Sequence, residues 1–120
     1  MTNTSTPIDR RILAALEADT SRDLVPELIQ VFVKSADNRI AKIAAHMAAG
    51  DLAGIAAEAH ALKSSSATFG AGEVRRLCAE LEVAGKNGDP TAAERLVPQL
   101  SHALDTAKSD LAAYVKDVSR

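Results

Sequence analysis

Residues 52–71, LAGIAAEAHALKSSSATFGA, carry the pattern from which the fold of the whole chain can be worked out. Apolar or small side chains recur there every three or four residues, at Leu52, Ile55, Ala59, Leu62, Ser66 and Phe69. At about 100° per residue these positions form one stripe, which predicts an amphipathic helix facing a core. His60 lies roughly 200° from Leu62 around that helix, so its imidazole is predicted to point towards solvent.

Small side chains surround His60 on the predicted outer face, apart from one cation. The face consists of Ala53, Ala56, Ala57, Lys63, Ser64 and Ala67. Because nothing bulky covers it, the imidazole is open to a large partner. Neutral imidazole is a good nucleophile at cellular pH, since its unperturbed pKa is about 6.5. Lys63, three residues later, is expected to disfavour the protonated ring.

Glycine, proline and capping residues divide the rest of the chain into further helices. The predicted helices span residues 8–18, 24–49, 52–68, 73–86 and 90–118. Thr20 or Asp23 is expected to cap the start of the second helix. Connections of two to four residues make successive helices antiparallel neighbours. We therefore predict an all-α fold, an antiparallel up-and-down four-helix bundle with a short extra N-terminal helix. It forms a single domain over residues 1–120, with its core at about 20–118.

Composition narrows the possible environments and partners. The single Cys78 cannot form an internal disulfide, and no apolar run approaches the roughly 20 residues of a membrane span. Residues 1–7 are polar and uncharged, which predicts no secretion signal. A net charge of −2 and only three aromatic residues argue against nucleic-acid binding. We expect a cytoplasmic monomer that binds neither membrane nor nucleic acid.

The run from His60 to Ala71 resembles the signature of the histidine-containing phosphotransfer (HPt) domain family, H-x-L-K-G-S-[SA]-x-x-[LFV]-G-[AL]. The matching positions are His60, Leu62, Lys63, Ser65, Ser66, Phe69, Gly70 and Ala71. The resemblance extends to residues 28–32, 49–51 and 77–82, and it covers about residues 20–118. Ser64 departs from the pattern, because the family usually has glycine there. Its hydroxymethyl group would either crowd a partner or donate a hydrogen bond to the phosphate.

The resemblance implies a phosphoryl carrier with no kinase activity or nucleotide site of its own. His60 would accept a phosphoryl group from an aspartyl phosphate of one response-regulator receiver domain and pass it to the aspartate of another. A hybrid histidine kinase is the further expected partner. The domain would hold no cofactor or metal, since Mg²⁺ is expected in the receiver, and phosphoryl transfer depends mostly on positioning and charge neutralisation.

Two side chains are predicted to assist His60 directly. Lys63 could pair with the phosphoryl oxygens after phosphorylation. Glu82 lies on the polar side of the neighbouring predicted helix. If the two helices pack antiparallel, we expect its carboxylate to accept the hydrogen bond of the other ring nitrogen and fix the tautomer.

Partner docking is assigned to the surface around His60. It would comprise Ala56, Ala57, Ser64 and Ala67, together with Leu28 from an apolar strip on the second helix that also contains Leu24 and Val31. The family resemblance favours this assignment, because a small apolar patch beside a reactive group suits a transient partner.

Structural interpretations are favoured for several other residues. His46 and His102 lie outside any motif and are interpreted as ordinary surface histidines. Ser66 is expected to bond back to a carbonyl one turn earlier, Gly70 to close a helix, and Cys78 to behave as a small buried hydrophobe.

Two other functions compete with that of a phosphoryl carrier. The phosphoacceptor domain of a histidine kinase fits poorly, because that family has an acidic residue directly after the histidine and a proline five positions on. Ala61 and Ser65 occupy those places. The alternative that stays open is a helical adaptor that binds receiver domains or other signalling proteins without carrying phosphate.

Overall fold

The computed structural model describes residues 8–21 and 23–118. They form five helices, α1 (Arg10–Asp19), α2 (Val25–Ala49), α3 (Leu52–Thr68), α4 (Gly72–Lys86) and α5 (Pro90–Val118), and this part of the chain contains no strand. The all-α prediction is confirmed, and the helix boundaries agree with the predicted ones to within two residues. Residues 1–7, on which the expectation about secretion depends, lie outside the described residues.

Local capping explains where three of the helices begin. The carboxylate of Asp51 accepts a hydrogen bond from the backbone N–H of Gly54 at 2.9 Å, and Asp89 accepts one from Ala92 at 3.1 Å. Asp9 caps α1 in the same way, through the N–H of Arg11. Each carboxylate satisfies a backbone donor that has no partner within the first turn of its helix.

The start of α2 differs from the sequence prediction. Neither Thr20 nor Asp23 caps it: the N-cap residue is Leu24, with no side-chain hydrogen bond. The Thr20 hydroxyl instead donates to the carbonyl of Leu16 at 2.7 Å, which places it at the end of α1. Pro26 stands in the first turn of α2 and has no N–H, so one donor that a cap would satisfy is absent.

The four long helices form a closed ring in which α3 and α5 each pack against both α2 and α4. The contacts between α3 and α4 run in opposite directions. Gly85 lies against Ala56, whereas Glu82, three residues earlier in α4, contacts His60, four residues later in α3. These two helices are therefore antiparallel, as their short connection predicts.

The short helix α1 closes one end of the bundle. The backbone N–H of Asp9 donates to the carbonyl of Gly70 at 2.8 Å, and Tyr114 donates to Glu17 at 3.0 Å. Gly70 has a φ of 72°, and a Cβ there would lie 2.7 Å from the backbone oxygen of Asp9. Gly70 is thus more than the helix-closing residue that the sequence predicts, since it also leaves room for α1.

The core lies along the axis of the ring and takes its side chains from all five helices. The ring of Phe32 stacks on that of Phe69, with centroids 4.8 Å apart. The stripe predicted for α3 is buried except at Leu52, which is partly buried, and Leu62 is only 1% exposed. Burial of this stripe holds α3 in one rotational position, which sets the direction of His60.

Ser66 is a correction to the expected core. It is fully buried, but its hydroxyl has no hydrogen-bond partner among the described residues. The hydroxyl that bonds back is that of Ser65, which donates to the carbonyl of Leu62 at 3.2 Å. An unpaired buried hydroxyl costs about 1–3 kcal/mol.

We predict that Ser66→Ala raises the free energy of unfolding by about 1–2 kcal/mol, because it removes that unpaired hydroxyl and places a better helix former in α3. Urea denaturation measures the change. Ser65→Ala is the matched control and should change stability by less than about 0.5 kcal/mol, since its hydroxyl is partly exposed. Destabilisation by Ser66→Ala would show that the hydroxyl has a partner after all.

Candidate functional site

His60 projects from the outer surface of α3 on the side that faces α4. Its side chain is 63% exposed, and its Nδ1 atom lies 2.9 Å from Oε2 of Glu82. The opposite edge of α3 carries Leu62 and Ala59, both buried. The ring is therefore held at one nitrogen by the neighbouring helix while most of its surface faces solvent.

Glu82 is a buried carboxylate at the boundary between α3 and α4. Its side chain is 7% exposed, which corrects the prediction that it lies on the polar surface of α4. Besides the His60 contact, Oε1 accepts a hydrogen bond from Nζ of Lys63 at 2.7 Å, and Oε2 lies 3.0 Å from Nζ of Lys86. The Lys63 and Lys86 hydrogen bonds outweigh burial and lower the pKa of Glu82 from 4.5 to about 2.

The ionisation state of Glu82 determines which nitrogen of the His60 ring is protonated. A carboxylate with this pKa is ionised at neutral pH, and an ionised carboxylate only accepts hydrogen bonds. Nδ1 must therefore be the protonated nitrogen that donates to Oε2. In the neutral ring, Nε2 then carries the lone pair and faces away from Glu82. The arrangement presents a nucleophilic nitrogen at the surface.

Close packing between α3 and α4 creates a shallow depression in front of His60. A Cβ on Gly85 would lie 2.7 Å from the carbonyl oxygen of Leu52 and 2.9 Å from Cβ of Ala56, so only glycine permits this approach. The depression has a volume of about 570 Å³ and is lined by Ala53, Ala56, Ala57, His60, Glu82, Gly85 and Lys86. Its small side chains leave the ring accessible to a large partner.

Comparison with known proteins identifies the family. The sequence profile of the Hpt domain matches residues 27–110. The chain belongs to the Hpt domain family. Histidine-containing phosphotransfer protein B (HptB) from Pseudomonas aeruginosa PAO1 is similar in structure, with a TM-score of 0.89 and 25% identity over 95% of this chain and 98% of that one. No curated protein matches the chain significantly by sequence.

A plant protein shares the same fold. The maize histidine-containing phosphotransfer protein ZmHP2 gives a TM-score of 0.82 at 20% identity, over 98% of this chain and 88% of that one. Hpt domains are phosphocarriers that interact with receiver domains and histidine kinases. This Hpt domain therefore has a histidine phosphotransfer role in phosphorelays.

Two residues of the Hpt signature have contacts that the sequence does not predict. The ammonium of Lys63 binds Glu82, which attracts it because the carboxylate is ionised. Ser64 is exposed, and its hydroxyl points back to the carbonyl of His60, 3.5 Å away, rather than over the imidazole. Its Cβ still adds bulk where the family usually has glycine.

The docking residues predicted from the sequence differ in their exposure to solvent. Ala57 and Ala67 are exposed, as is Ser64. Ala56 is a correction: it is only 6% exposed because Gly85 packs against it, so it forms the floor of the depression. Leu28 is half-buried against the core, whereas its neighbours Leu24 and Val31 are 47% and 67% exposed.

Lys86 and Gly85 are site residues that the sequence analysis missed. Lys86 follows Glu82 by four residues, a spacing that brings two side chains together on one helix face, so a signal was present. The role of Gly85 had no such local signal. A glycine inside a helix reveals its purpose only when the neighbouring helix that approaches it is known.

Besides the residues of this Hpt site, Cys78, His46 and His102 carry chemically reactive side chains. Cys78 lies close enough to Lys63 and Glu82 for their charges to act on its thiol. Burial raises the pKa of the Cys78 thiol to about 12, which leaves it unreactive at neutral pH. His46 contacts Asp51 at 3.2 Å near the α2–α3 turn, and His102 is exposed on α5. Residues 8–21 and 23–118 contain no group of three or more side chains suited to a metal ion, and none of their helices is long and apolar enough to cross a membrane.

We predict that Glu82→Gln lowers the free energy of unfolding at pH 7 and that this difference shrinks in acid. Because folding lowers the pKa of Glu82, its carboxylate stabilises the fold fully above about pH 4.5 and loses that contribution as the pH falls towards 2. Denaturant titrations of both proteins between pH 7 and pH 2 measure the difference.

Glu94→Gln, which changes an exposed carboxylate on α5, is the matched control and should give a small difference throughout. A difference between the parent and Glu82→Gln that does not vary with pH would contradict the proposed electrostatic origin.

Proposed function

We propose that this protein is a phosphorelay intermediate in which His60 accepts a phosphoryl group from a receiver-domain aspartyl phosphate and passes it to the aspartate of another receiver. The hydrogen bond between Nδ1 of His60 and Glu82 is the observation that supports this most strongly. It leaves the lone pair of Nε2 at an exposed position, as a group that reacts with a large partner requires.

The transfer can be written in terms of these atoms. The Nε2 lone pair attacks phosphorus, the Nε2–P bond forms, and the P–O bond to the aspartate breaks, which releases the receiver carboxylate. Nδ1 keeps its proton throughout. The positive charge that develops on the ring is balanced by Glu82, 2.9 Å away. Transfer to the next receiver is the reverse reaction with a new aspartate.

The partners supply what the domain lacks. We assign Mg²⁺ to the receiver, where it would neutralise the phosphoryl oxygens during transfer. Lys63 is proposed to pair with the phosphoryl oxygens from the α3 side. Its hydrogen bond to Glu82 supports a second role, which is to keep that carboxylate ionised. A hybrid histidine kinase is proposed as the source of the phosphate. The protein is proposed to act as a monomer in the cytoplasm.

Receiver docking is proposed for the surface that extends from His60 across α3 to α2. It contains the small exposed residues Ala57, Ser64 and Ala67, which permit close approach, and the apolar strip around Val31 and Leu28. A reactive nitrogen bordered by a small apolar patch suits a partner that binds briefly and leaves.

Replacing the phosphoacceptor tests the central assignment. His60→Gln should abolish phosphate acceptance and leave thermal stability nearly unchanged, because the ring is exposed. The measurement is incubation with a phosphorylated receiver, followed by detection of acid-labile, base-stable phosphate on this chain. His102→Gln is the matched control and should label as the parent does.

Labelling of His60→Gln would rule out His60 as the acceptor. If the parent binds receivers but never takes phosphate, the adaptor function is supported instead.

The docking surface is tested by a pair of substitutions on opposite faces of α3. Ala67→Arg should block transfer by its bulk and charge, while the bundle folds normally because Ala67 is exposed. Leu62→Arg should unfold the protein, because burying an unpaired guanidinium costs several kcal/mol. The total free energy of unfolding of a domain is only about 5–15 kcal/mol. Circular dichroism and the transfer assay together separate these effects. Transfer by Ala67→Arg at the parent rate to every receiver would refute the proposed docking surface.

A further inference from the structure

Lys86 is a charged residue of the His60 depression that takes no part in the proposed transfer between His60 and the receivers. Its Nζ atom lies 3.0 Å from Oε2 of Glu82, the same oxygen that lies 2.9 Å from Nδ1 of His60. Because the two contacts share one oxygen, the ammonium lies within about 6 Å of the imidazole. Because Nε2 faces away from Glu82, Lys86 can reach a group on that nitrogen only if its flexible four-carbon stem swings away from Glu82.

The contacts of Lys63 and Lys86 with Glu82 differ in distance and in exposure to solvent. Lys63 is 32% exposed, lies 2.7 Å from Oε1, and is the largest cause of the lowered pKa of Glu82. Lys86 is 67% exposed and lies 3.0 Å from Oε2. An exposed lysine on a flexible four-carbon stem can leave such a partner at little cost. If it did, Glu82 would keep its bonds to Lys63 and His60.

A phosphoryl group on Nε2 would bring a charge of about −1.5 to −2 into the depression. The small side chains of the depression, Ala53, Ala56, Ala57 and Gly85, offer no side-chain donor to it. Lys86 is the cation among the residues that line the depression, and it stands on its α4 wall. The phosphoryl group would thus lie near the ammonium of Lys86, whose present partner, Glu82, also accepts hydrogen bonds from two other donors.

We propose that Lys86 leaves Glu82 when His60 is phosphorylated and binds the phosphoryl oxygens from the α4 side. This inference rests on the proposed function of His60. Lys63 keeps its proposed roles, which are to pair with the phosphoryl oxygens from the α3 side and to keep Glu82 ionised, while Lys86 adds a second cation from the α4 side. A charge-assisted contact of this kind is stronger than one between neutral groups.

The test uses potassium phosphoramidate as a small phosphoryl donor, so that no receiver contributes to the result. The Nε2–P bond forms as the P–N bond of the donor breaks, and ammonia leaves. The chains compared are the parent, Lys86→Met, Lys86→Arg and Arg75→Met. Arg75 lies on the same strip of α4 but eleven residues away, about 16 Å along the helix, so it controls for the loss of one positive charge. His60→Gln identifies the signal of His60.

The readout is the pH midpoint at which the ³¹P resonance of phosphorylated His60 titrates. A bound ammonium favours the doubly ionised phosphoryl group and lowers this midpoint. Lys86→Met should therefore raise it by about half a unit to one unit, and labelling should slow about threefold to tenfold. Lys86→Arg should restore most of the parent value, and Arg75→Met should match the parent.

Repeating the comparison in a chain that also carries Glu82→Gln separates direct contact between Lys86 and the phosphoryl group from an effect of Lys86 on Glu82. In Glu82→Gln, the carboxylate that now holds Lys86 is absent. If Lys86 binds the phosphoryl group, Lys86→Met still raises the midpoint in that background. If it acts only by positioning Glu82, the effect disappears there and the proposal is wrong.

Two further results would also overturn the proposal. One is that Lys86→Met titrates at the same pH midpoint as the parent. The other is that Arg75→Met shifts the midpoint as much as Lys86→Met does. Both leave the phosphoacceptor role of His60 intact, because the parent is labelled in each. A parent that takes no phosphate at His60 refutes the proposed function and this inference together.

Discussion

A carboxylate buried between two helices organises the functional surface of this protein. An unpaired charge between two packed helices is unfavourable, and donors that surround Glu82 stabilise its carboxylate there. Lys63, Lys86 and His60 supply them. Each of these three side chains is oriented by its contact with one of the two carboxylate oxygens of Glu82. The orientation of the imidazole, and with it the exposure of Nε2, is a consequence of burying Glu82.

The close approach of α3 and α4 is what makes this burial possible. Gly85 and Ala56 bring the helices near enough for Glu82 to reach His60 from the neighbouring helix. The same small residues keep the surface beside His60 low. One packing requirement, the absence of side-chain bulk, therefore serves two purposes: it holds the helices together and leaves a reactive nitrogen open to a large partner.

Much of the fold was predictable because its signals are local. The bounds of α3 match the predicted ones, since Asp51 caps the helix start and Gly70 takes the positive φ shortly after its end. The exposure of His60 followed from the stripe on the opposite face, because side chains seven or fewer residues apart determine which side of a helix is buried. The family signature lies within the same short stretch.

Other features depend on side chains that are distant in the sequence. The sequence pattern predicts a polar face for Glu82, an exposed one for Ala56 and a hydrogen-bond partner for Ser66. Each of these predictions is wrong because of what the neighbouring helix brings against the residue.

The sequence by itself determined the helices, their order and the outward direction of His60, because helical periodicity is a property of neighbouring residues. Only the tertiary structure decided which nitrogen of the ring is held and which lysine stands beside it. The contacts that Glu82 makes with α3 join residues about twenty positions apart, and their distances depend on how closely α3 and α4 pack.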